Sequence, residues 1–337
     1  YAEGLNSKYS DFGGIVSGID FYFASGRNTT RKTYQWNDEP FLDLYKANLV
    51  GGVIKDASLV TGDVNTKYHE SNAVISADGK RMYFDRNDFL GGDYDKSSEG
   101  INQINLYYAE KMEGGWRNVT SAPFNSDEYS TGHPALSPDG KTLYFVSDMP
   151  GGKGGSDIYK VAINANGSLG TPMRLGNNIN TEGKEVFPYV DSNGTLYFSS
   201  DAHLGIGGLD VFYAEAQGND FGDVKNMGKG VNSAEDDFAF KFDGNTREGF
   251  VSSNRQGGKG SDDIYMIKEL ELPCVVTIDV KIIDEYSRAA VSGARVDMYD
   301  AFENKLSTKT SDANGLVTFD TACDKEHVIQ AVAPDYE

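Results

Sequence analysis

Basic residues are scarce. The chain carries 31 Lys and Arg against 51 Asp and Glu, a formal net charge of -20. That balance repels phosphate backbones and argues against nucleic-acid binding. It fits an acidic, well-solvated surface, with a cation or a basic protein as the partner it would attract. Long hydrophobic runs are missing as well: no apolar stretch approaches the roughly 18 residues a membrane helix needs. Proline is sparse at 9 residues, so the 39 glycines read as the turns of an all-β protein rather than as a low-complexity chain. Cysteine is limited to Cys274 and Cys323, which pair in an oxidising compartment and stay reduced in the cytosol. No Gly-x-Ser-x-Gly elbow and no P-loop lysine–hydroxyl pair occurs. The four histidines, His69, His133, His203 and His327, show no zinc-site spacing and read as surface loop residues. Tyr1 opens the chain without Met or a signal-peptide pattern, as an excised or processed segment would.

What the chain has in quantity is aromatic residues, 20 Tyr and 18 Phe, and they recur in register. Aromatic pairs stand at Tyr22-Phe23, Tyr83-Phe84, Tyr144-Phe145 and Tyr197-Phe198, with a weaker copy at Gly249-Phe250. A second marker follows each: Asp43-Leu44-Tyr45, Asn105-Leu106-Tyr107, Asp157-Ile158-Tyr159, Asp210-Val211-Phe212 and Asp263-Ile264-Tyr265. A third is a linker, Asn6-Ser7, Asn65-Thr66, Asn125-Ser126, Asn180-Thr181 and Asn232-Ser233, each leading into acidic residues at periods of 59, 60, 55 and 52. Asp78-Gly79, Asp139-Gly140 and Asn193-Gly194 supply tight hairpin turns. Four-stranded antiparallel units at this period, with no helical pattern between them, predict a β-propeller, because one blade cannot bury both of its faces alone.

The expected architecture is therefore all-β: a five-bladed β-propeller over residues 1–271, followed by a small β-sandwich over 272–337. Blade five is expected to lack its outer strand, with the N-terminal segment closing the ring. Val275–Ile283 alternates as a clean strand, and Asn314-Gly315 is expected to make a hairpin turn. In an antiparallel meander the Gly-rich loops share one face with the acidic linkers, and the insertion Phe89–Gln103 of blade two falls there too. That face is the expected partner surface, with Glu70, Asp127, Glu128, Glu182, Glu185, Glu235 and Asp236 as its candidates.

The unit Ser137–Lys160, SPDGKTLYFVSDMPGGKGGSDIYK, resembles the WD-like repeats of TolB-type periplasmic propellers. Val291-Ser292-Gly293-Ala294-Arg295-Val296 and Thr310-Ser311-Asp312-Ala313-Asn314-Gly315 resemble a carboxypeptidase regulatory-like domain. The two in this order resemble OmpA-family outer-membrane lipoproteins of the PorE type, from the type IX secretion and gliding machinery. This resemblance implies a non-enzymatic scaffold in the periplasm, at the inner face of the outer membrane. Its partners would be outer-membrane β-barrel or secretion-complex proteins, with peptidoglycan held by a domain not present in this chain. The implied compartment favours a Cys274–Cys323 disulfide.

The alternative is a carbohydrate- or peptidoglycan-binding propeller that uses the acidic loop face and exposed aromatics, with a glycoside hydrolase as a further option. Glycosidic chemistry needs two carboxylates at a set separation, which sequence spacing does not show. Arg27, Arg86 and Arg255 hold equivalent repeat positions and are expected to pack the repeat. No cofactor is demanded. Calcium has candidate ligands in Asp148 and Asp157, although EF-hand spacing is absent; the competing expectation is that Asp157, Asp210 and Asp263 hydrogen-bond loop amides.

Overall fold

The computed structural model describes all residues except 1, 3, 36, 51, 52, 271–274, 324 and 335–337. The chain divides into two compact units, Tyr1–Lys268 and Glu269–Glu337. Five antiparallel sheets form the propeller blades, four of them four-stranded and the fifth, Asp237–Asp243, Glu248–Ser253 and Asp263–Lys268, three-stranded. In blades one to four the aromatic pair sits on the second strand with its phenylalanine buried, Phe23, Phe84, Phe145 and Phe198 being at most 1% exposed, and Phe250 takes the place in blade five. Alternating strands send successive side chains to opposite faces, so each blade feeds the two interfaces beside it.

All three sequence markers have a mechanical role. The linker asparagine clamps the third strand of the preceding blade. In blade three, Asn180 Oδ1 accepts from Ile158 N at 2.8 Å, while its Nδ2 donates to the carbonyls of Ile158 and Leu175. Asn65 holds Leu44, Asn125 holds Leu106 and Asn232 holds Val211 in the same way. Asn6 does this for Ile264, 258 residues away, at 2.9 Å in both directions. The N-terminal segment thus closes the ring with a clamp and a backbone bond, Ala2 N to Ile264 O, and adds no fourth strand to blade five.

The aspartate opening the third strand folds the Gly-rich loop around itself. Asp210 accepts from Ile206 N and Gly207 N, and Asp263 from Lys259 N and Gly260 N. A Cβ on Gly205 or Gly258 would overlap that carboxylate, so the first glycine of the loop is required for the wrap. The second glycine presses on the next linker: a Cβ on Gly154, Gly207 or Gly260 would meet backbone oxygens of Thr181, Glu235 or Tyr9.

Arg27, Arg86 and Arg255 each donate to a linker carbonyl, from Leu5, Val64 and Val231 respectively. Blade four uses His203 against Ile179 O, and blade three uses the Tyr129 hydroxyl against Phe124 O. His203 is therefore part of the repeat frame rather than a surface loop residue.

Each inner strand carries a bulge at its third residue, with φ of 71° at Gly13, 47° at Asn72, 50° at His133, and 52° at both Phe187 and Ala239. Bulges of this kind sharpen the twist and re-aim side chains. Here they bring Phe12, Phe187 and Phe238 together on the axis, with centroids 4.8–6.4 Å apart, and stack His133 on Phe187 at 3.9 Å. The channel is plugged at that level.

In the second unit, Arg295–Asp300 pairs with Lys305–Thr310 and His327–Val332, while Val275–Lys281 pairs with Leu316–Ala322. Val296, Met298, Val317 and Phe319 fill the space between these sheets. Asn314-Gly315 does not close a hairpin, because the strands flanking it belong to different sheets. Ser311 bonds Ala294 in both directions and ends the first strand, and the turn then carries the chain across the sandwich. Cys323 is disulfide-bonded; Cys274 lies outside the described residues.

Candidate functional site

The acidic face is not the uniform carboxylate surface its sequence suggests. Glu70 and Glu185 open inner strands and are fully buried. Glu70 takes the Thr66 hydroxyl at 2.5 Å and faces Arg86 at 3.3 Å; burial still pushes its carboxyl up to about 8. Glu185 accepts from Thr181 and Ser200. Both hold the frame and are removed from any partner surface. Asp236 is half-buried, accepting from Leu209 N and Asn254. Glu182 is exposed beside Lys153 at 3.6 Å, and Glu235 is exposed. The calcium candidates have other work: Asp148 accepts from Ser130 N, and Asp157 from Lys153 N.

The carboxylates that do converge lie on blades two and three. Asp88, Asp95 and Asp127 each offer an oxygen within 4.8 Å of the other two, a set able to coordinate a metal ion such as calcium. Asp88 and Asp95 come from the start and middle of blade two's extended loop, and Asp127 from the following linker. Asn102 fixes that loop, donating to the carbonyls of Asp88 and Asp95. Glu128 adds two bonds to Ser98, both at 2.9 Å. Asp88 is buried and accepts from the Tyr107 hydroxyl at 3.1 Å. Burial, together with the neighbouring Asp127 and Asp95 charges, raises its carboxyl above the ordinary range.

An aromatic platform adjoins this set. Two small hairpins, Thr33–Tyr34 with Glu39–Pro40 and Phe89–Leu90 with Asp93–Tyr94, stand on the loops of blades one and two. Between them Tyr68 stacks on Tyr94 at 4.4 Å and 21°, with Phe89 5.0 Å from Tyr68. Phe41 and Tyr34 continue the row against His69, whose burial pulls its imidazole down to about 4. Tyr34 and Tyr94 are 44% and 39% exposed, leaving ring surface open to solvent beside the carboxylates.

Sequence reasoning placed Asp127 and the Phe89–Gln103 insertion on this face but missed Asp88 and Asp95 as partners of Asp127. The available signal was the crowding of Asp88, Asp93 and Asp95 into the one loop that breaks the repeat. If the trio binds calcium, millimolar Ca2+ is expected to raise the melting temperature by a few degrees, an effect lost in an Asp95→Asn/Asp127→Asn double variant; differential scanning calorimetry reads both.

No family model matches the chain, and no curated protein matches it. Solved structures with a similar fold include hydrolases. A GH43 endo-arabinanase from Bacillus licheniformis is 14% identical over 79% of this chain and 94% of its own, with a TM-score of 0.45. An α-L-arabinofuranosidase from Lactobacillus brevis is 12% identical over 79% and 92%, also at 0.45. A puromycin hydrolase is 12% identical at a TM-score of 0.41, and this chain spans 46% of its length. Likeness at this level concerns the propeller architecture.

These comparisons correct the expectation of an OmpA-family, PorE-type lipoprotein: no family model and no curated relative supports it. The reading as a non-enzymatic type IX scaffold falls with it, since the resemblance was its source, and the face assigned to scaffolding carries a carboxylate cluster able to hold a metal ion. Among the described residues no helix is long and apolar enough to cross a membrane.

Proposed function

We propose that the propeller is a carbohydrate-directed domain, with its glycan site at the aromatic–acidic face of blades one and two. The observation that carries this is the row Tyr34–Phe41–Tyr68–Tyr94, exposed at Tyr34 and Tyr94, beside Asp88, Asp95 and Asp127. Aromatic faces pack against the C–H face of a sugar ring, while carboxylates, directly or through a bound cation, take its hydroxyls. We place the protein outside the cytoplasm, in the periplasm, because the disulfide at Cys323 calls for an oxidising compartment.

The test is calorimetric titration with soluble peptidoglycan fragments and with neutral oligosaccharides. Tyr94→Ala and Tyr68→Ala are each expected to weaken binding tenfold or more, about 1.4 kcal/mol. Equal affinity in wild type and both variants sinks the proposal.

One observation favours hydrolysis at the same place. Asp88, whose carboxyl is raised above the ordinary range by burial, sits beside two further carboxylates, the pairing of a protonated acid with an ionised partner that glycoside hydrolysis uses. In that case reducing-end release falls as pH rises through the Asp88 titration, and Asp88→Asn abolishes turnover while binding persists.

A further inference from the structure

At the opposite end of the ring, beyond the plug of Phe12, Phe187 and Phe238, the inner strands open into a cavity. All five contribute, through residues such as Ile15, Val74, Leu136, Tyr189 and Phe242, and the cavity measures about 490 Å³. Its walls are mainly apolar, and a small cleft of about 20 Å³ shares Ile15 and Lys241 with it. Lys241 is the single cationic side chain lining it. The ammonium donates one long bond to Pro188 O at 3.3 Å and lies 4.8 Å above the Tyr189 ring.

No carboxylate pairs with it among the described residues. The two acidic groups at the rim are engaged elsewhere: Glu248 pairs with Lys268 at 3.0 Å, and Asp243 accepts from Asn245 N. Lys241 is half-buried in this wall; an ammonium held there without a counter-ion is costly, and desolvation pulls it down to about 7. Such a group is tolerated at a repeat position only where something rewards it. In the other four blades the residue at the same place after the bulge is Ile15, Val74, Ala135 or Tyr189.

We infer that this funnel binds an amphiphile with an apolar body and a single carboxylate head, the head pairing with Lys241. The cavity volume lies in the range of small-molecule sites, which combine apolar walls with a few placed polar groups. The inference is independent of the glycan site, which lies on the other face. The titratable groups facing the ammonium are Tyr189, His133, Asp243 and Glu248. Burial pushes Tyr189 up to about 12 and His133 down to about 3, so both stay neutral across the working range.

Ion pairing with a carboxylate favours the charged amine and raises its pKa. Above pH 7, binding must therefore be accompanied by proton uptake. Decanoate and decan-1-ol would be titrated into the intact protein at pH 8, in phosphate and in Tris. Decanoate is expected to bind at least tenfold more tightly than the alcohol, with an observed enthalpy that differs between the two buffers. Lys241→Met is expected to lose both the preference and the buffer dependence. Leu136→Trp, which narrows the funnel and leaves the amine in place, should weaken both ligands and serves if the Met variant does not fold. Equal binding of acid and alcohol without buffer dependence, or no binding of decanoate, overturns the inference.

Discussion

Asn180→Ala is expected to lower the unfolding free energy by about 3–5 kcal/mol, since each buried group left unpaired costs roughly 1–3 kcal/mol. The side chain is wholly buried and satisfies three backbone groups at once, the N–H and carbonyl of Ile158 and the carbonyl of Leu175. Alanine leaves the Ile158 N–H and the Leu175 carbonyl unpaired inside the ring, while the Ile158 carbonyl keeps its bond from Leu175 N at 3.0 Å. The measurement is the urea midpoint, with the slope m checked to be unchanged. Asn166→Ala is the comparison. That asparagine is exposed and bonds only within its own turn, to Ser168, so its loss should stay within about 0.5 kcal/mol. Equal midpoints for the two variants would mean the clamp contributes nothing. Asn6→Ala is expected to act on the seam specifically, loosening Ile264 and the last blade before the others; hydrogen exchange of the Asp263–Lys268 amides reads this directly.

Gly207→Ala should cost a comparable amount, roughly 3–5 kcal/mol, at the upper end for overpacking. Its Cβ would lie 2.1 Å from the Glu235 carbonyl oxygen and 2.8 Å from that of Ser233. Both are backbone atoms of the next linker, held in turn by Asp237 through Ser233 Oγ at 2.8 Å. Neither can rotate away. The contact relaxes only if blade five moves off blade four, which exposes the interface lined by Val211 and Phe240. Gly230→Ala makes the contrast: nothing lies within 4 Å of that Cβ, and the substitution should be nearly neutral. Thermal melts of the pair decide the matter. A Gly207→Ala protein as stable as Gly230→Ala would show that the linker yields.

Both expectations follow from motifs visible in the sequence, yet the reasons for them are spatial. The Asn-Ser/Thr linker, the Gly-rich loop and the Asp-aromatic strand recur at fixed order, and that order settles blade number and strand succession. The spacing Gly-x-Gly-x-x-Asp recurs because one glycine must pass a carboxylate and the next must pass another blade's backbone. Substitutions inside the frame hid part of it: His203 and Tyr129 replace the arginine of the other blades, and neither resembles arginine in a sequence pattern. What they share is a donor directed at one carbonyl.

The candidate sites were less legible. Glu70 and Asp127 look alike as linker carboxylates, but Glu70 starts a strand and is sealed under Arg86, whereas Asp127 lies in the linker before its strand and meets solvent. The trio of Asp88, Asp95 and Asp127 spans 40 residues and depends on how Asn102 folds an irregular loop back on itself. Lys241 sits in an ordinary alternating strand. That no described carboxylate pairs with it comes from the convergence of five strands.

The sequence by itself determined the blade count, the order of elements and the two-unit architecture, because each rests on local period and turn chemistry repeated five times. Only the tertiary structure decided which acids are buried, which converge, and where the ring leaves an apolar cavity with a lone amine. Those depend on distances between blades, which no single repeat encodes.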